Sequence, residues 1–139
     1  MLYNWFIVIL ENENKMGLDL TLIPAYSEDP NNNFFSHDLI SLDRDSDLFD
    51  EILSLQNEFG RHIKLGGINT YIGSNDGGEP AYGLTERTKY GEVIQSVPAG
   101  RLYSCIHRFP EVSLGWKNLA AMGFLANCPA ELPIYLYWQ

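Results

Sequence analysis

Apolar and polar residues alternate over residues 17–24 (GLDLTLIP), with Leu18, Leu20 and Leu22 on one side and Asp19 and Thr21 on the other. A period of two predicts a half-buried strand, here ended by Pro24. Residues 27–33 (SEDPNNN) interrupt the pattern with turn formers. Residues 34–42 then read as a second extended segment leading to Asp43. From Ser46 the period lengthens to that of a helix: Leu48, Ile52 and Leu55 form an apolar stripe that Phe49 and Leu53 widen. Asp45 or Ser46 can cap this helix, and Asp47, Asp50 and Glu51 lie in its first turns, where the helix dipole favours negative charge. It should stop near Gly60.

Residues 69–74 (NTYIGS) suit a short strand, and residues 75–80 (NDGGEP) are the densest turn signal in the chain. Residues 90–97 (YGEVIQSV) are expected to pair with that strand as a long-looped hairpin. Pro98 suits the first turn of a second helix with Ala99, Leu102, Cys105 and Ile106 on one face. Ser113 caps a last helix to about Ala126, which offers Trp116, Leu119, Ala120, Met122 and Phe124 for packing. Trp116 is expected in the core. Residues 133–138 (PIYLYW) form a closing strand, stable at a chain end only if it is central or well paired. The elements sum to an α+β fold, a mostly antiparallel sheet of four to six strands with about three helices packed on it.

Residues 16–139 are expected to be a single α+β domain, since 139 residues support one core and no linker or repeat interrupts them. Residues 1–15 admit two readings. Tyr3, Trp5, Ile7 and Ile9 can line one face of an edge strand. Alternatively, residues 11–15 (ENENK) require purine-rich codons, a ribosome-binding-like context for translation starting at Met16, with residues 1–15 a non-native extension. The apolar run at residues 1–10 is too short to span a bilayer and lacks the basic flank and small-residue site of a signal peptide.

Charge sharpens this outline. The net charge is −9, yet residues 1–58 balance at −10 and residues 59–139 at +1. Nine carboxylates lie between Glu28 and Glu58 with Arg44 as the only cation. Such a field opposes nucleic acid and anionic membrane and favours a basic partner. Asp43, Asp45, Asp47, Asp50 and Glu51 are the residues expected to form this acidic face. A solubilising surface is the bland alternative.

Few residues carry recognisable chemistry. Ser36, His37 and Asp38 are adjacent on an extended segment, so they point to alternate faces and cannot form a catalytic relay. His37, His62 and His107 lack the spacing of a zinc site. Cys105 sits on an apolar helix face with Leu102 and Ile106, where a thiol is inert packing, and with Cys128 it is expected to be free. No cofactor or metal is expected. The Gly77-Gly78 loop matches neither a phosphate-binding loop nor a calcium loop, and Asp76, Glu79 and Tyr82 make it a candidate interaction loop.

The opening Met16-Gly17-Leu18-Asp19, the middle Phe35-Ser36-His37-Asp38 with Leu42-Asp43-Arg44, and the ending Leu132-Pro133-Ile134-Tyr135-Leu136-Tyr137-Trp138 resemble small proteins of phage and prophage genomes. The resemblance implies a bacterial cytoplasm and a protein that binds and blocks host machinery, as anti-CRISPR and related anti-defence proteins do. The expectation is therefore a non-enzymatic, cytoplasmic binding protein whose acidic face docks on a basic surface of a host or phage protein. It makes no direct contact with nucleic acid or membrane. The alternatives are a small hydrolase or transferase using His37 or His107 with a carboxylate, and a phage assembly component.

Overall fold

A computed structural model describes residues 18–25, 34–36, 40–61, 67–74, 76–88 and 90–139, with the backbone alone for residues 34–36, 67–74 and 82–85. The readings placed on residues 1–17, His37 and His62 fall outside this set. The chain is α+β, and three helices appear among the described residues. The strands do not form one sheet of four to six; they divide into two sheets of three.

The first sheet is built from β1 (Leu20–Pro24), β5 (Gln95–Pro98) and β6 (Pro133–Trp138), in the order β1-β6-β5 and antiparallel throughout. The closing strand is thus central. Asp19 and Gln139 exchange backbone hydrogen bonds of 2.7 and 3.0 Å, which fastens the last residue to the start of β1. Ser41 bridges to Thr21 beyond β1, and Arg61 bridges to Ser96 beyond β5, so a short backbone segment covers each edge.

Register places Leu20, Leu22, Ile134, Leu136, Trp138 and Val97 on one face, where three helices cover them. The first helix, α1 (Ser46–Phe59), contributes Leu48, Phe49, Ile52 and Leu53. The second, α2 (Ala99–His107), contributes Ala99, Leu102, Cys105 and Ile106, the residues its sequence period selects. Trp138 joins the layers: its indole N–H donates to Gln56 Oε1 at 2.8 Å, and its ring meets Phe49 edge-on at 5.5 Å. The opposite face is buried too, by a second cluster of Ile23, Ala25, Ile94, Tyr135 and Tyr137. β1 is therefore buried on both sides, where alternation predicts a half-buried strand, because Thr21 and Ile23 are enclosed as fully as the leucines.

The second sheet pairs β2 (Phe34–Ser36) parallel to β3 (Gly67–Ser74), and β3 antiparallel to β4 (Pro80–Thr85). Residues 76–79 are thus the turn of a tight hairpin, with Gly78 at φ 79°. The expected partner of β3, residues 90–97, instead supplies β5 to the first sheet. Pro80 and Gly83, both poor strand formers, hide β4 in the sequence.

The third helix, α3 (Glu111–Ala126), departs most from the expected packing. It buries Leu114, Asn118, Ala121 and Leu125. Trp116 is 79% exposed, Val112 95% and Phe124 39%, so the expectation of a core tryptophan is wrong. Those four buried positions keep a helical spacing of four, three and four, which puts Trp116, Ala120 and Phe124 on the opposite, outward face; Gly115, with φ 78° and ψ 165°, interrupts the helix between Leu114 and Trp116. That backbone region belongs almost wholly to glycine.

Candidate docking surface

The five carboxylates expected to form an acidic face lie on one short stretch, the approach to α1 and its first turns, and do different things there. Asp45 is the N-cap: its side chain accepts the backbone N–H of Leu48 at 3.1 Å. Asp47 and Asp50 are exposed on the outer surface of the helix. Asp43 Oδ1 lies 3.9 Å from Lys117 Nζ, and Glu51 Oε2 lies 3.5 Å from an Arg108 nitrogen, all four side chains well exposed. Exposed pairs of this kind contribute about 0–1 kcal/mol. Arg44, the one cation within the acidic stretch, turns away to make a two-point contact with Asp19 at 2.8 and 3.2 Å. Counted over the residues named here alone, the five carboxylates with Lys117 and Arg108 carry a formal −3.

Asn118 fixes this cluster against α3. Wholly buried, its amide oxygen accepts the Asp43 backbone N–H at 2.7 Å and its amide nitrogen donates to the Asp43 carbonyl at 3.3 Å. Both polar ends of a buried side chain are thereby satisfied. A Cβ on Gly115 would lie 3.9 Å from Asp43 Oδ2. Trp116, 79% exposed, stands in the chain between Gly115 and Lys117, which both come near the Asp43 carboxylate. An isolated exposed leucine would mean nothing, but an exposed tryptophan beside a charged cluster has the composition of an interface anchor.

The loop candidates stand elsewhere. Asp76 and Glu79 are exposed in the β3–β4 turn, whereas Tyr82 belongs to β4 itself, paired in register with Tyr71.

A groove of about 910 Å³ runs between α1 and α2. Glu51, Ser54 and Glu58 form its acidic wall, and Arg101, Ser104 and Arg108 face them from α2. Cys105 lies at its floor. Burial pushes the thiol pKa up, against the smaller downward pull of the Arg108 guanidinium, so the group is a packed neutral thiol. Exposed His107 stacks on Tyr103 at 5.3 Å between ring centroids. Both cysteines are free, and no cluster of three metal-ligating side chains occurs among the described residues. No helix among these residues is long and apolar enough to cross a membrane.

Sequence patterning identified the acidic residues but not Trp116, Asn118 or the arginines of the groove. The spacing of Leu114, Asn118, Ala121 and Leu125 on one helix face was the available signal for the first two. Comparison with protein-family models, curated proteins and solved structures gives no match for the chain.

Proposed function

We propose that this is a non-enzymatic binding protein that docks on a basic surface of a partner protein through the N-terminal end of α1, with Trp116 as its apolar anchor. The observation that carries the reading is a run of exposed carboxylates at the start of α1, tied to α3 by Asn118 two residues after a 79% exposed tryptophan. Carboxylates at the rim steer a basic partner and set register, while a desolvated aromatic side chain supplies much of the affinity. Asp47 and Asp50 are exposed on the outer surface of the helix, so reversing their charge tests the long-range attraction. The resemblance to phage proteins supplies the setting, a bacterial cytoplasm and a host or phage partner.

The test is comparative capture from cells expressing the chain. Wild type, Asp47→Lys/Asp50→Lys and Trp116→Ser are each used as bait, and retained proteins are identified by mass spectrometry. The reading expects at least one protein with a basic surface to be retained by wild type and lost by both variants. Identical retention by all three baits overturns it.

A further inference from the structure

Beyond the other end of α1, about 20 Å away for a helix of 14 residues, two arginines approach from outside the helix. A concavity of about 250 Å³ is lined by Phe59, Arg61, Pro98, Arg101, Glu131 and Pro133, among others, and opens into the α1–α2 groove through shared residues. Among the described residues neither arginine has a carboxylate partner, although the chain carries 18 acids against 9 basic residues. Backbone structure positions both. Arg61 exchanges hydrogen bonds of 2.9 and 2.8 Å with Ser96 on the edge of β5. Arg101 is in the first turn of α2, with its guanidinium 3.9 Å from the Phe59 ring centroid. Stacking engages the face of a guanidinium and leaves the N–H donors in its plane available to an oxyanion.

We infer that this concavity is a binding site for a peptide's free C-terminal carboxylate, held by Arg61 and Arg101, with the preceding residues lying in the α1–α2 groove. The choice of ligand follows from the lining. Glu131 borders the concavity, so a single negative charge is accommodated better than the two of a phosphate monoester. Phe59, Pro98 and Pro133 offer apolar surface to a terminal aliphatic side chain. Further along, Glu58 and Ser54 suit a lysine and backbone N–H groups upstream. Arg61 and Arg101 belong to no part of the acidic docking surface, and the groove shares only Glu51 with it, so variants at the two arginines test this site separately.

The experiment is calorimetric titration of the full chain with acetyl-Gly-Lys-Ala-Leu bearing a free carboxylate, with the same peptide as its carboxamide, and with inorganic phosphate. Charge-assisted bonds to two arginines predict that the free acid binds roughly ten-fold or more tightly than the amide. Arg61→Gln and Arg101→Gln should each remove that difference, and Trp116→Ser should leave it unchanged. Both arginine side chains are at the surface, and unchanged amide spectra would confirm that the variants fold. Equal affinity for acid and amide, no binding of the acid at millimolar concentration, or a preference that survives both glutamine variants overturns the site. Tighter binding of phosphate than of the acid overturns the carboxylate assignment.

Discussion

Replacing Asn118 with alanine tests the contact that orients the acidic cluster. The side chain is fully buried and makes two hydrogen bonds to the Asp43 backbone, at 2.7 and 3.3 Å. Each is worth roughly 0.5–1.5 kcal/mol, and truncation also leaves the Asp43 N–H without its partner and opens a small void. Water can reach the exposed side of Asp43 and recover part of the loss. The expected cost is therefore about 2 kcal/mol. For a chain of this size that lowers the urea midpoint by about 1 M, with the slope of the transition unchanged. Circular dichroism in a urea series measures it. Asn118→Leu fills the void but restores no hydrogen bond, so most of the loss should persist. Asn118→Asp keeps the acceptor and replaces the donor with a buried charge near the Asp43 carboxylate. Burial and like charge raise the folded-state pKa of the new group above its unfolded value. Its share of stability is then present below about pH 4 and falls as pH rises through the folded pKa. If the alanine and leucine variants both stay within about 0.5 kcal/mol of wild type, the clamp holds nothing and the argument from it fails.

Two glycines in α3 should respond oppositely. Gly115→Ala meets no steric obstacle, since the nearest atom is 3.9 Å away, but its φ of 78° should cost about 1–3 kcal/mol; Gly123→Ala, with nothing within 4 Å, should gain up to about 1 kcal/mol. Thermal melts of the two variants decide whether α3 is broken where described. The Thr21 hydroxyl is buried with no hydrogen-bond partner among the described residues, so Thr21→Val should be neutral or stabilising by about 1 kcal/mol, and a loss above about 1 kcal/mol would show a partner. Burial raises the Cys105 pKa, so its contribution to stability is complete below the usual thiol value of about 8.5 and is lost as pH rises through the folded value. Urea midpoints at about pH 7 and pH 10 should therefore fall less for Cys105→Ala than for wild type, and equal falls would contradict the shift.

Much of the architecture was legible because local chemistry and tertiary packing agree. The stripe and cap of α1, the buried face of α2 and the pairing of the last strand all follow from period, capping and the need to secure a chain end. Most of the failures share one cause, which is that a local pattern carries no information about a distant partner. Residues 90–97 look like the second arm of a hairpin, yet Gln95 and Val97 pair with β6, about forty residues later. In α3 the apolar count suggested a packed Trp116. A core position held by Asn118 is affordable only because the Asp43 backbone, 75 residues earlier, satisfies it. The acidic cluster was visible as a run of charge, but that Arg44 turns to Asp19 while Lys117 and Arg108 approach from the second half required the fold. Arg61 and Arg101 come together for the same reason, across the end of one helix and the start of another.

The most direct test of docking through the acidic end of α1 is the association rate of the captured partner, measured over a range of ionic strength. Wild type should associate rapidly at low salt and slow steeply as salt is added. Asp47→Lys/Asp50→Lys should be at least about ten-fold slower at low salt, with a nearly flat salt dependence. Parallel curves for the two proteins would place the contact elsewhere on the molecule.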